Sequence, residues 1–377
     1  VPVDRTLAED LTRRLVELYA DLEQQIVADI ARRLKAGLRA PDDAGAKLAS
    51  INDLRNAIQQ LIRKLNTDSA GAVEQAVALA FARGGAAGLD ELAKAGYLDA
   101  RQLAAIRQSL PGAEAINRLA FALASTLLGT HVRILRWSLD AYRDVIATTA
   151  LPKVLAGTTT RLAAAQHAWD RLLSQGVTGF VDKAGRRWEL ASYVEMATRT
   201  GVAQAAVQGH LDSLGAAGID LVIVSDAPQE CFRCRPWEAK VLDRIGPGGQ
   251  HTVEVEHATI DGHMVRVEVA GSVVEAVAAG FLHPNCRHSI NAYLPGITKI
   301  PTGTADPKGD EARQQLRALE RKVRKAKTQA AGALDPAQRR AHEAQVRDLQ
   351  GQIRDHIATA PTTLFRQRHR EQIGAAR

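Results

Sequence analysis

The sequence predicts a mainly α-helical protein with a small α+β module set between an elongated N-terminal helical region and a C-terminal helical hairpin. Three observations carry this expectation. Leucine and isoleucine recur at helical spacing from Leu7 to Leu139. A central stretch changes to valine alternating with polar residues, the period of a strand with one solvated face. All 3 cysteines of the 377 residues fall in that stretch, in Cys231-Phe-Arg-Cys234 and His283-Pro-Asn-Cys286-Arg-His288.

In chain order, Leu7, Leu11, Leu15, Leu18, Leu22, Ile26, Ile30 and Leu34 form one apolar stripe on a long helix, closed by Gly37 and Pro41. Leu48, Ile51, Leu54, Ile58, Leu61 and Leu65 mark a second. Shorter helices separated by Gly84-Gly85 and Pro111-Gly112 are expected next. A further long helix carries Ile116, Leu119, Leu123, Leu127, Leu135 and Leu139 before Pro152. Such stripes are the packing faces of a bundle or surfaces awaiting a partner.

Beyond Pro152, residues 161–174 read as a helix, 180–188 as a small hairpin and 193–214 as another helix. Gly215 and Gly218 release that helix into the strand Leu221-Val-Ile-Val224. Valines alternate through 252–256 and 264–269 around the turn Asp261-Gly262, which predicts a β-hairpin, and a short helix follows near 273–279. Pro295, Pro301 and Pro307 mark a linker. A charged helix over 311–327 and a second one begun by Asp335 as N-cap and Pro336 at the first position should fold back on each other. The parts are then a helical region at 1–152 for assembly contacts, an α+β module at 153–297, and a linker with basic tail at 298–377.

Thiolate and imidazole together suit a tetrahedral, redox-inert ion, so the motifs predict structural zinc. The candidate ligands are Cys231, Cys234 and Cys286, with His283 or His288 fourth. A metal bridging the motifs closes the hairpin and short helix into a loop, which makes the module zinc-stapled. Two other readings compete. A strand leading into Cys-x-x-Cys suggests a thioredoxin-like redox pair, although Pro236 follows at once, and reduced cysteines also pack as small hydrophobes. The odd cysteine count and the absence of a recognisable signal peptide lead us to expect a reducing compartment.

The net charge is +7. Residues 308–377 hold 16 basic and 8 acidic side chains, so the rest of the chain is close to neutral. Arg366, Arg368 and Arg370 concentrate positive charge near the end, where it would contact DNA phosphates or an acidic protein surface. The longest uncharged stretch of the first half, 119–130, falls short of the roughly 20 apolar residues that cross a bilayer. A soluble protein is expected, with no membrane-spanning segment.

Several motifs occur in order. They are Tyr193-Val-Glu-Met-Ala-Thr-Arg-Thr200, Asp220-Leu-Val-Ile-Val-Ser-Asp226, the two cysteine motifs, Tyr293-Leu-Pro-Gly296 and Leu364-Phe-Arg-Gln-Arg-His-Arg-Glu-Gln-Ile373. Through these the C-terminal half resembles tailed-phage minor capsid proteins, of the head-morphogenesis group similar to Mu protein F. The resemblance implies a structural, non-enzymatic virion component in the capsid interior, made in the bacterial host cytoplasm. It would associate with the portal protein and other capsid proteins, and aid head morphogenesis and the packaging or ejection of double-stranded DNA. In related proteins cysteine often stands where this chain has His288, so either residue supplies a zinc donor. The alternatives are a zinc-dependent hydrolase or toxin-like enzyme, with Asp226 and Glu230 as acid/base groups, and a non-specific DNA-binding protein. No nucleophile–base pair, phosphate loop or base-reading motif accompanies them.

Overall fold

The computed structural model describes residues 5–39, 44–109, 112–149, 159–176, 180–181, 185, 187–227, 231–246, 248–283, 286, 288–300 and 306–374. Among them the helices are α1 (Arg5–Arg39), α2 (Ala44–Lys94), α3 (Ala100–Ser109), α4 (Ala113–Thr148), α5 (Arg161–Ser174), α6 (Leu190–Ala216), α7 (Val273–Ala278), α8 (Pro307–Gly332) and α9 (Pro336–Thr359). The strands are β1 (Phe180–Val181), β2 (Arg187–Trp188), β3 (Leu221–Val224), β4 (Val241–Asp243), β5 (His251–His257), β6 (Ile260–Val269) and β7 (Ile290–Ala292). The protein is mainly helical with a small amount of sheet, as the periodicity predicts.

The chain forms two compact units. One draws on Val1–Arg13, Ala72–Ala124 and Met196–Asp310, the other on Arg14–Gly71, Ser125–Glu195 and Glu311–Arg377.

The first unit is built around a three-stranded antiparallel sheet of order β4-β3-β7. Every residue of β3 is buried, and its alternation divides them between two cores. Val222 and Val224 face a cluster with Leu92, Leu214, Leu242 and Phe281. Leu221 and Ile223 pack with Val241, Val267, Val269 and Tyr293. The second cluster receives the inward valines of the β5–β6 hairpin, which pairs Val253 with Val267 and Val255 with Val265. The chain reverses at Ala258-Thr259 and not at the expected Asp261-Gly262: Gly262, at φ 72°, lies within β6 close to the register shift at Glu256/His257.

The same unit corrects one expectation. Gly84-Gly85 does not end a helix, because α2 runs 51 residues straight through it. The reason is close helix packing. A Cβ at Gly84 would stand 1.9 Å from the Ala206 carbonyl oxygen, and one at Gly209 would stand 2.1 Å from that of Phe81. Glycine costs a helix interior about 1 kcal/mol relative to alanine; here that loss lets α2 and α6 approach backbone to backbone. Beneath this crossing His210 lies 3.5 Å from Glu91, whose carboxylate accepts the Ala292 amide of β7. Burial pushes Glu91 up to about 7 and His210 down to about 4, so between those values the two meet as neutral groups.

In the second unit most of the expected stripe residues supply packing faces, although Leu48 is exposed. Leu15, Leu22, Ile26, Ile30 and Leu34 of α1 are buried, as are Leu54 and Ile58 of α2 and Leu127 and Leu139 of α4. The side chain of Leu7 lies outside the described residues. Polar ties join helices of this unit: Tyr19 Oη of α1 lies 2.9 Å from His131 Nε2 of α4, and the Trp169 indole N–H of α5 donates to the Gly332 carbonyl of α8 at 2.9 Å. Thr160 caps α5 by accepting from the Ala163 amide. Phe180 pairs with Trp188 in the β1–β2 ribbon.

At the end of the chain α8 and α9 pack Leu316, Val323 and Ala326 against Leu349 and Ile353. Asp335 caps α9 through the Ala337 amide with Pro336 at the first position, as the sequence predicts.

Candidate metal centre

Two tight turns and one strand pair bring the cysteine motifs together. After β3, the first motif closes on itself: the amides of Cys234 and Arg235 both donate to the Cys231 carbonyl at 3.1 Å. In the second, the Cys286 amide donates to the His283 carbonyl at 2.8 Å. Pairing of β3 with β7 then continues past Val224 and Ile290, because Ser225 N–H donates to the Ser289 carbonyl and Ser289 N–H to Ser225 Oγ. That extension sets His288 beside the first motif.

Among the described residues two non-glycines have left-handed backbone, Ala239 at φ 57° and Leu282 at φ 53°. Ala239 follows Glu238 directly and Leu282 precedes His283. Such conformations cost of order 1–3 kcal/mol and persist where surroundings over-determine them. Both stand at the edge of the site, re-aiming the chain toward it.

The donors form two triads that share Cys234: Cys231, Cys234 and His283, and Cys234, Cys286 and His288. Within each, the ligand atoms lie within 4.8 Å of one another. Cys231 Sγ is 2.9 Å from His283 Nε2, Cys234 Sγ is 3.5 Å from Cys286 Sγ, and Cys286 Sγ is 3.4 Å from His288 Nδ1. No two of the cysteines are joined by a disulfide. All five residues named from sequence are thus neighbours, and their chemistry fits a zinc ion held by four of them.

The electrostatics favour a thiolate at Cys286 and a thiol at Cys234. The hydrogen bond from Cys234 pulls Cys286 down to about 4, against the opposing effect of burial and with further help from His288. The same bond, together with burial, pushes Cys234 up. Burial alone would lower His288, but hydrogen bonds to Cys286 and Glu238 outweigh it and the net shift is upward.

Glu238 is the participant that sequence reasoning missed. Its Oε1 accepts from His288 Nε2 at 2.5 Å and from the Ala227 amide at 3.3 Å. The short turn Arg235–Trp237 delivers it there. An acid four residues beyond Cys-x-x-Cys was the only available signal, and unaided it is indistinguishable from a surface glutamate. Of the acid/base pair considered for an enzyme, Asp226 follows β3, and Glu230 lies outside the described residues.

Beside the cluster opens a cavity of about 540 Å³, lined mainly by apolar side chains such as Val207, Leu211, Val273 and Val277, with His283, Cys286 and His288 at its border.

The structure places the tail arginines differently from one another. Arg366 forms a two-pronged ion pair with Glu371 at 2.6 and 2.7 Å. Arg370 is buried and pairs with Glu195 at 2.7 Å, and its carbonyl accepts from Arg324. Arg368 is exposed.

The fold and the site define a helix-rich protein carrying a partly buried thiol–imidazole cluster that could hold a metal ion. More narrowly, the chain belongs to the family described as phage minor capsid protein 2, which it matches over residues 4–358. It is therefore a capsid component of the virion, interacting with other capsid components. Comparisons with curated proteins and with solved structures found no match. No helix among the described residues is long and apolar enough to cross a membrane.

Proposed function

We propose that this capsid protein acts inside the phage head at the portal, where it aids head morphogenesis and the packaging or ejection of DNA, and that one structural zinc ion holds its sheet module together. Family membership supports the capsid role. The zinc reading rests on one observation, the convergence of three thiols and two imidazoles from motifs about fifty residues apart. With four protein ligands the ion would leave no position for water, so its role is to staple rather than to catalyse. Residues 1–152 are proposed as the region of assembly contacts, 153–297 as the stapled module, and 298–377 as the linker and basic tail. Co-expression with the portal protein tests the location: co-purification and imaging of the complex should find this chain on the portal ring, and its exclusion from purified rings would refute that placement.

The cavity at the border of the cluster favours the rival enzymatic reading. Cobalt-substituted protein separates the two. A spectrum unchanged by added azide or cyanide marks a closed site, whereas an anion-sensitive one marks an exchangeable position.

A further inference from the structure

The cluster offers five donors for four positions, and the surroundings of the two histidines are unequal. We propose that Glu238 is the positioning residue of this site: it locks His288 as the fourth ligand through Nδ1, and leaves His283 as a hydrogen-bond partner of Cys231 outside the coordination shell. This rests on the zinc reading above.

Three observations carry it. First, the Glu238 carboxylate only accepts, so the proton on the shared bond sits on His288 Nε2, which leaves Nδ1, on the Cys286 side, as the nitrogen that would ligate once the metal displaces its proton. A ligating histidine fixed by a carboxylate on its other nitrogen is the usual arrangement for setting tautomer and ring orientation. Second, the His288 side chain is 2 % exposed and that of Glu238 is 9 % exposed, and the Phe281 ring lies 5.8 Å from the imidazole, so the dyad is held in place. His283 is only partly buried. Third, distances discriminate. Zinc bonds of about 2.3 Å to sulfur and about 2.0–2.1 Å to nitrogen set tetrahedral edges of roughly 3.5–3.8 Å between donors. Cys234 to Cys286 at 3.5 Å and Cys286 to His288 Nδ1 at 3.4 Å lie close to that range. Cys231 to His283 at 2.9 Å falls well short of it.

The test uses full-length protein, measuring zinc stoichiometry and affinity by chelator competition together with the charge-transfer spectrum of the cobalt form. His288→Ala and Glu238→Ala should each weaken zinc binding about 10–100-fold, while Glu238→Gln, which keeps an acceptor, recovers most of the loss. His283→Ala should stay within a few-fold of wild type with an unchanged three-thiolate spectrum. In a His288→Cys background, where the donor needs no carboxylate to orient it, Glu238→Ala should have no further effect. Zinc loss in His283→Ala with His288→Ala unaffected, or a Glu238→Ala protein that binds like wild type, overturns the assignment while leaving the zinc site standing. A wild-type protein that takes up no zinc overturns the metal reading itself, and this assignment with it.

Discussion

In the α8–α9 hairpin five side chains, Leu316, Val323, Ala326, Leu349 and Ile353, supply the core, and helical period alone puts them there. The β4-β3-β7 module buries valines and leucines too, but beside them it buries Cys234, His288, His210 and Asp243. Polar groups taken out of water must find partners, and each one left unsatisfied costs about 1–3 kcal/mol. The hairpin buries Glu320 as well, but Arg317 one turn away on the same helix pairs with it; it can therefore tolerate many changes of similar volume, whereas the module depends on a few specific long-range bonds made together. Apolar periodicity gives one region its robustness; chemistry gives the other its definition.

The sharpest way to break this contrast is to remove the shared donor. If the site holds zinc as proposed, Cys234→Ser, or stripping the metal with a strong chelator, should destabilise the module by several kcal/mol, since binding energy at such a site is folding energy. Hydrogen exchange should show protection lost in β3, β4 and β7 and retained in α8 and α9. Equal loss in both regions would erase the distinction.

Glycines sharpen it next. Gly209→Ala forces a Cβ to 2.1 Å from the Phe81 oxygen and should cost about 3 kcal/mol or more. Gly351 in α9 meets nothing closer than the Arg354 guanidinium at 3.7 Å, so Gly351→Ala should instead stabilise by about 0.5–1 kcal/mol. Thermal melts of the two variants should move in opposite directions.

The second unit has its own polar exception in Glu23 of α1. Burial and the neighbouring Glu189 push its carboxyl up to about 7, against the Ala191 amide and Arg324. A carboxyl raised in the folded state contributes stability below about 4.5, and that contribution is lost as pH rises toward 7. Glu23→Gln should therefore match wild type near pH 4 and exceed it by about 2–3 kcal/mol at pH 8. Denaturant titrations at several pH values check this; taking the difference between variant and wild type cancels Glu91, which runs the same way, and His210, which runs the opposite way. A constant difference across pH would place Glu23 in contact with water.

The N-terminal helices were legible because Leu15 through Leu34 repeat at the spacing that buries them, and the C-terminal pair because Asp335 and Pro336 mark the start of α9. The β5–β6 hairpin was legible from alternating valines, although its turn falls at Ala258-Thr259 and not at Asp261-Gly262, and the donor set was legible from its cysteines. Gly84-Gly85 misled because a glycine pair reads locally as a break, while its reason lies in Ala206, more than a hundred residues away. Glu238 was invisible for the same reason: its partner His288 is fifty residues further on, and no local pattern marks a carboxylate aimed at an imidazole. The sequence displays periodicity and donor type; it does not display the pairings that tertiary packing creates.

The smallest expected effect concerns the basic tail. If the tail contacts packaged DNA through phosphates, affinity should fall linearly with salt on logarithmic axes, by about 0.9 per phosphate neutralised, and scarcely depend on sequence. The three arginines should not contribute alike. Arg366 is bound by Glu371, whose carboxyl it holds below the usual range against the effect of burial, and Gln350 donates to the same carboxylate. Arg370 is buried against Glu195. To reach a phosphate, either must give up an internal partner and leave a carboxylate unpaired, which offsets what the new contact supplies. Arg368 is exposed and carries no such penalty. Arg368→Ala should thus lower the salt slope of duplex binding by about 1 without changing the melting temperature, whereas Arg370→Ala should lower the melting temperature and leave the slope unchanged. Fluorescence anisotropy of duplex binding between 50 and roughly 200 mM salt, alongside thermal melts, reads both quantities. A slope that drops with Arg370→Ala and not with Arg368→Ala would mean that the ion pairs of this end open on DNA, making the tail a reactive surface and not part of the helical unit's core.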